Sequence, residues 1–302
     1  MLVQTIGLLV PAFQSSAAPL LVDCTFGGGG HTRAVLEQMP SVRVIAFDAD
    51  PNAFGRAQAL AHAFPGRVLP IHANFAALRD RLEALNMRDV DAILYDLGLS
   101  SIQLADAQRG FAFTGEGELD MRIDPTSDSA TAAQLLATAK EGEIADIIFE
   151  FGDERHARRI ARQIVKRRER SPLRTTSDLV AAVLAAQPRA IRGRRTGIHP
   201  ATRTFLALRM AVNGELDSLA KSLEDAIACV KPGGRIAVIS FHSGEDRVVK
   251  HQFAAWRRAG IADVLTRKPL QPSQTEIVAN QRSRSAKLRA VERTRGHLPK
   301  SA

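Results

Sequence analysis

The chain has 302 residues, 45% of them hydrophobic and 24% charged, with a formal net charge of +9. This composition excludes a disordered or low-complexity chain and leaves room for one large domain or two smaller ones. Two cysteines cannot build a disulfide framework and no apolar run approaches a membrane span, so a soluble, cytoplasmic protein with reduced thiols is expected.

Met1 to Val10 is apolar but has no basic leader or cleavage pattern. From Leu20 onward strand-like and helix-like runs alternate. Leu20 to Asp23 is the first expected strand, His31 to Met39 a helix, and Val42 to Asp48 the second strand. Asp50-Pro51 then supplies an N-cap with proline at the first helical position. A strand from Val68 to Ile71, a helix from Phe75 to Leu85 and a strand from Ala92 to Asp96 continue the series. The alternation predicts an α/β fold, a doubly wound, mostly parallel sheet with right-handed crossovers. After Asp96 the rhythm breaks into a segment rich in Gly, Asp and Ser. Helical patterns follow at Ala132 to Thr138, Glu141 to Phe151, Arg155 to Arg168 and Ser177 to Ala186, without a strand among them. They read as an inserted all-helical domain, closed by a linker from Pro188 to Pro200. A long helix from Thr202 to Val230, interrupted near Asn213-Gly214, leads to a turn at Lys231-Pro232-Gly233-Gly234. A strand from Arg235 to Ser240, a helix from Glu245 to Ala259, a strand from Ile261 to Thr266 and an extended basic tail complete the chain. The expected organisation is therefore a sheet domain over 1–105 and 202–302, with a helical insertion over 106–201.

Charge is unevenly placed. Arg155, Arg158, Arg159, Arg162, Lys166, Arg167, Arg168, Arg170, Arg174, Arg189, Arg192, Arg194 and Arg195 are opposed there by Glu169 and Asp178 alone. In the tail Arg282, Arg284, Lys287, Arg289, Arg293, Arg295 and Lys300 face only Glu292. Arginine favours bidentate contact with phosphate, so a polyanionic partner is preferred over a merely solvated basic face.

The stretch Asp23-Cys24-Thr25-Phe26-Gly27-Gly28-Gly29-Gly30-His31 ends the first strand. Glycine lets a ligand lie against the backbone, and such a turn before a helix is the nucleotide-binding corner of an open α/β sheet. Asp48 follows about twenty residues on, where an acid commonly accepts from ribose hydroxyls. A dinucleotide fingerprint needs a third glycine where this chain has Thr32 or Arg33, and the Gly-Lys-Ser/Thr of a P-loop is missing. The acid before the glycine cluster resembles instead the first motif of S-adenosylmethionine methyltransferases. Ligands of open parallel sheets sit beyond the carboxyl ends of the strands. Those ends carry Asp23, Asp48, Asp96-Leu97-Gly98-Leu99-Ser100-Ser101 and Ser240-Phe241-His242-Ser243. One such acid is as well read as a turn cap; three on neighbouring strands are harder to dismiss.

Longer motifs accompany these ends: Thr25-Phe26-Gly27-x-Gly29-Gly30-His31, Asp96-Leu97-Gly98-x-Ser100-Ser101-x-Gln103-Leu104 and Arg109-Gly110-Phe111-x-Phe113. Leu119-Asp120-Met121-Arg122-x-Asp124, His199-Pro200-Ala201-Thr202-Arg203-Thr204-Phe205, Ser240-Phe241-His242-Ser243-x-Glu245-Asp246-Arg247 and Arg282-Ser283-Arg284-Ser285-Ala286-Lys287-Leu288-Arg289 come next in order. Together they closely resemble the bacterial 16S ribosomal RNA (cytosine-N4)-methyltransferase family, from about Asp23 to Arg293. The resemblance implies S-adenosyl-L-methionine as cofactor and methylation of the exocyclic N4 of a specific cytidine in the decoding centre. It implies 16S rRNA within the small ribosomal subunit as partner, and leaves a homodimer open. By the same resemblance Gly29, Gly30 and His31 line the cofactor, Asp48 takes the ribose hydroxyls, and Phe75 packs near the adenine. Asp96 and Gln103 complete the set; no metal is implied. The family usually opens with His-x-Pro-Val-Leu-Leu, whereas this chain opens at Met1-Leu2, so its start is expected upstream or the segment lost. Gly244 stands where leucine is usual, and only a packing change is expected from it.

The amine of cytosine shares its lone pair with the ring and is a poor nucleophile. Acceptors on its N–H groups favour a pyramidal nitrogen and later take the proton. Many amino methyltransferases place Asp/Asn-Pro-Pro-aromatic after the fourth strand; here Asp96-Leu97-Gly98-Leu99 stands there. Asp96 is thus the expected catalytic acceptor, or the Leu97 carbonyl, with Phe111, Phe113 or Phe241 stacking on the base. The insertion and the tail are expected to grip RNA backbone, with Arg203 and Arg209 near the site. Rival readings are a nicotinamide-dependent oxidoreductase, an RNA-binding assembly factor with an idle pocket, and a DNA amino methyltransferase. The missing third glycine opposes the first and the missing strand-four motif the last. His199, His242 and His251 lack zinc spacing, and Ser240 to Ser243 lacks the Gly-x-Ser-x-Gly elbow of a hydrolase.

Overall fold

The computed structural model describes residues 1–113, 116–187 and 199–296, and the chain divides into two compact units. The sheet unit comprises Met1–Gly98 and Leu216–Ala302, and the helical unit Leu99–Glu215. In chain order the sheet unit begins with α1 (Leu2–Phe13), β1 (Leu20–Asp23), α2 (Gly30–Gln38), β2 (Arg43–Asp48), α3 (Pro51–Ala63), β3 (Val68–His72), α4 (Leu78–Ala84) and β4 (Val90–Asp96). The helical unit holds α5 (Ser101–Ala105), α6 (Ala132–Thr138), α7 (Glu141–Gly152), α8 (Ala157–Arg168), α9 (Thr176–Ala186) and α10 (Thr202–Asn213). The sheet unit resumes with α11 (Glu215–Cys229), β5 (Val230–Ser240), α12 (Ser243–Arg258), β6 (Ala262–Val264), α13 (Gln274–Ala279) and β7 (Lys287–Arg293).

The seven strands run in the order β3-β2-β1-β4-β5-β7-β6. β1 to β5 are parallel, and β7 is antiparallel to both β5 and β6. This is the doubly wound, mostly parallel α/β sheet that the alternation predicts. Successive strand residues point to opposite faces. Val22, Ile45, Phe47, Ile93 and Tyr95 join a core with α4, α11 and α12. Leu21, Val44, Ala46, Ala92 and Leu94 join a second core with α1, α2 and α3. The strand order reverses beside β1 and β4, and ligands of such sheets bind beyond the carboxyl ends at that switch point.

Local chemistry explains several boundaries. Asp50 caps α3 by accepting from the Asn52 N–H at 2.9 Å, with Pro51 in the first turn. Gly214, at φ +56, separates α10 from α11. Lys231 to Gly234 does not end a strand: β5 runs through it, and the register shifts between Val90 and Ala92 on β4. The turn residues are carried as a bulge, with Gly233 at φ +79. α1 is an element the sequence reading lacks, and the tail is not merely extended but contains α13 and β7. α10 belongs with the helical unit, because Phe205 and Leu208 are buried in its core beside Ile144, Ile148 and Ile160. The second boundary of that unit therefore falls at Glu215 rather than between 201 and 202. Among the described residues both cysteines are free and buried, and no helix is long and apolar enough to cross a membrane.

Candidate active site

Three strand ends of the sheet unit converge on the glycine loop. Asp23, 2% exposed at the tip of β1, accepts from the Thr32 hydroxyl at 2.7 Å and the Thr25 N–H at 3.2 Å. Burial lifts the Asp23 carboxyl above its ordinary value, against the pull of the Thr32 bond. The position where a dinucleotide fold would carry its third glycine is thus used by a threonine to anchor the strand-end acid. Gly29 is N-cap of α2 at φ +76, and a Cβ there would stand 2.5 Å from Phe26 Cζ. Only glycine fits. At Gly28 and Gly30 an added Cβ meets nothing within 4 Å, so the backbone there is open to an approaching ligand.

At the end of β2, Asp48 accepts from the Gly27 N–H at 2.7 Å and the Asp50 N–H at 2.8 Å. Burial pushes its carboxyl up to about 6, against those two backbone bonds. At the end of β4, the Asp96 N–H donates to Thr25 Oγ1 at 2.6 Å, which ties β4 to the loop after β1. The Asp96 carboxylate lies 3.4 Å from His31 Nδ1, so the structure brings His31 and Asp96 together. Burial disfavours the His31 cation, yet Asp96 beside it, with Asp23 behind, holds its pKa above the usual imidazole value. Asp96 Oδ1 and His31 Nε2 are buried without a hydrogen-bond partner. Buried polar atoms of this kind are rare in folded proteins and call for an explanation, such as a water, an ion or a ligand.

The other expected residues have more varied surroundings. Phe75 is half-buried, its ring edge against Tyr95 at 5.7 Å, after Asn74 caps the turn by accepting from the Ala76 N–H. Gln103 lies in the helical unit and is 7% exposed. It forms a capping box with Ser100, its Oε1 accepting from the Ser100 N–H at 2.8 Å. Phe241 sits at the end of β5, where its N–H donates to buried Glu245 at 2.8 Å and His242 Nε2 lies 2.9 Å from the same carboxylate. A Cβ on Gly98, just past β4, would stand 3.7 Å from the Phe241 ring. Phe111 is corrected as a stacking candidate: it is buried in the helical unit's core beneath the Arg109 guanidinium. Phe113 stacks on His199 at 4.4 Å.

The basic clusters divide in the same way. On α8 the apolar stripe Ala157, Ile160, Ala161 and Ile164 is buried, while Arg158, Arg159, Arg162, Lys166 and Arg167 lie on its outer side. Arg168 turns inward to the Leu136 and Ala139 carbonyls. Arg209, expected near the site, has its Nε and Nη2 held by Glu215 at 2.6 Å. The tail is corrected in part. Lys287 and Arg289 are paired with Asp246, and against the cost of burial they hold that carboxyl below its usual range. Arg293 donates to the carbonyls of Ala228 and Val230. Arg189, Arg192, Arg194, Arg195 and Lys300 lie outside the described residues. Among the described residues no three His, Cys, Asp or Glu side chains are grouped to hold a metal ion.

Thr32, Thr25 and Arg56 bond the strand-end acids and the glycine turn, a role that sequence reasoning does not give them. Thr32 and Thr25 carry a usable signal as hydroxyls flanking a buried acid; Arg56, whose Nε donates to the Gly27 carbonyl, has no local one.

The model of the MraW methylase family matches residues 2–294 of this chain. The ribosomal RNA small subunit methyltransferase H of Thermomicrobium roseum is 48% identical over 288 residues, covering 90% of this chain and 87% of that protein. That of Synechococcus elongatus is 47% identical over 280 residues, covering 93% and 89%. Among solved structures, an rRNA methylase from Streptococcus thermophilus superposes with a TM-score of 0.43 at 12% identity, covering 94% of this chain and 97% of that one.

Proposed function

The chain belongs to the MraW methylase family, and from that premise we propose that it methylates the exocyclic N4 of a cytidine in the decoding centre of 16S rRNA, using S-adenosylmethionine. The observation that carries the site assignment is the His31–Asp96 pair, with an unpartnered atom on each residue, beside a glycine turn open to a ligand. When bound, S-adenosylmethionine supplies a methyl group already activated by its sulfonium. The residues of the strand ends fit such a group. Gly29 and Gly30 give close backbone approach, His31 and Asp48 offer fixed polar atoms, and Phe75 offers a ring face or edge for the adenine. Gln103, whose side chain caps α5 with Ser100, is proposed as a cofactor contact on the family resemblance alone.

Asp96 has the chemistry the amine requires. Its Oδ1 accepts from one N–H of the cytosine, favours the pyramidal nitrogen, and takes the proton as the N–C bond forms. Its backbone is fixed by Thr25 and its other oxygen faces His31, so the acceptor is held before the base arrives. A base must leave its stack to be methylated, and the outward arginines of α8 suit RNA phosphates.

Purified protein given methyl-labelled S-adenosylmethionine and small ribosomal subunits tests this reading, with the modified base mapped afterwards. One methyl per subunit on a cytidine N4 is expected. Label on another atom, or binding of subunits without transfer, contradicts it.

A further inference from the structure

We propose that Arg56 is a positioning residue for the cofactor: from α3 its guanidinium holds the Gly27 peptide in the shape that receives S-adenosylmethionine. This rests on the functional reading above. Gly27 is gripped from both sides. Its N–H donates to Asp48 Oδ2 at 2.7 Å, and its carbonyl accepts from Arg56 Nε at 3.0 Å. Asp48 also accepts from the Asp50 N–H at 2.8 Å, at the N-cap of the helix that carries Arg56. The loop after β1, the end of β2 and the first turns of α3 are therefore coupled through one residue.

Gly27 also sets the start of the glycine turn. It sits at φ +53 and Gly29 at φ +76, so the turn has two residues in the left-handed region. Glycines there have little conformational preference of their own, and a turn built of them needs outside bonds to hold one shape. A bond from a cation to a carbonyl is stronger than a neutral one, and it polarises the peptide. The far end of the Gly27–Gly28 peptide is the Gly28 N–H, beside a Cα with open space.

Among the described residues the Arg56 guanidinium makes one hydrogen bond, that to Gly27. Its Nη2 is buried and unpartnered, and the bond to Gly27 is the one that places the guanidinium. Arg67, a structural brace in the same unit, uses its fork more fully by spanning the carbonyls of Leu36, Met39 and Val42. An arginine left half-satisfied beneath the glycine turn carries a desolvation cost that loop placement explains and helix stability does not.

The test compares Arg56→Ala, Arg56→Gln and Arg56→Lys with the wild type by calorimetry of S-adenosylmethionine and by steady-state methylation of small subunits. For Arg56→Ala we expect Kd and KM for the cofactor to rise about tenfold, equivalent to about 1.4 kcal/mol. The kcat and the KM for subunits should stay within about twofold. Arg56→Lys, which keeps a cationic donor, should fall between Arg56→Ala and wild type. Combined with Asp48→Asn the loss should be less than the sum of the two, because both side chains hold the same residue. Should Arg56→Ala fail to accumulate folded, Arg56→Gln and Arg56→Lys carry the same comparison. Unchanged cofactor Kd in every variant, or a fall in kcat with cofactor KM unchanged, overturns the inference. Wild-type protein that binds no S-adenosylmethionine overturns the functional reading, and this inference with it.

Discussion

In the sheet unit the strand-end acids are anchored inward: Asp23 holds Thr32 and Thr25, and Asp48 holds Gly27 and Asp50. In the helical unit Arg158, Arg159, Arg162 and Arg167 of α8 stand outward, over a buried stripe of Ala157, Ile160, Ala161 and Ile164. A buried carboxylate survives only with fixed donors around it, and fixed donors give a site its geometry. An exposed guanidinium costs little and acts through its field, so its position matters less than its number. Under the proposed reading, one unit supplies placement and the other attraction.

The largest effect should come from breaking placement at Asp96. Asp96→Ala is expected to slow single-turnover methyl transfer by about 10²- to 10⁴-fold, with subunit binding retained. Full cofactor affinity together with full methylation in that variant would remove Asp96 from the chemistry. Reversing Arg158, Arg159 and Arg162 to Glu probes the other side of the contrast. Affinity for RNA should fall at least about tenfold at about 0.15 M salt, and the log–log salt slope should shrink by about 2, because each phosphate contact contributes somewhat less than one. S-adenosylmethionine affinity should not move. Retained RNA affinity would mean that these cations are only a solvated face.

A smaller effect sharpens the account of Asp48, whose carboxyl titrates at about 6. If its ionised form binds the ribose hydroxyls, cofactor affinity falls roughly tenfold between about pH 7 and pH 5, and Asp48→Asn flattens that dependence. Stability of the free protein moves the other way. The native pKa lies above the unfolded one, so the folded state takes the proton first and gains stability as pH falls from about 6 toward about 4. The mildest contrast lies within the loop. Gly29→Ala must place a Cβ at φ +76 against Phe26 and should lower stability by about 1–2 kcal/mol in urea unfolding. Gly28→Ala, with open space beside it, should leave stability unchanged and weaken the cofactor instead.

The strand ends are legible in the sequence because their signals are local. Leu20–Asp23 is the observed β1, and the Asp50-Pro51 cap stands at the start of α3. The pairing of His31 with Asp96 is not legible, since it spans the loop after β1 and the end of β4 and depends on their register. α1 escapes a sequence reading because Gly7 and Pro11 weaken its pattern, although Pro11 falls near the end of the helix. Charge alone misassigns part of the tail. Arg289 is 8% exposed on Asp246, and composition does not reveal which arginines are already engaged. The Lys-Pro-Gly-Gly run has the chemistry of a turn but does not limit a strand, because a bulge absorbs it within β5.

The most direct measurement is a calorimetric titration of the purified protein with S-adenosylmethionine and, separately, with a nicotinamide dinucleotide. Saturable binding of the first at one site per chain, abolished by the double variant His31→Ala, Asp96→Ala and absent for the second ligand, is the expected result. Heat from the dinucleotide with none from S-adenosylmethionine would contradict it, since the glycine turn would then cradle a pyrophosphate.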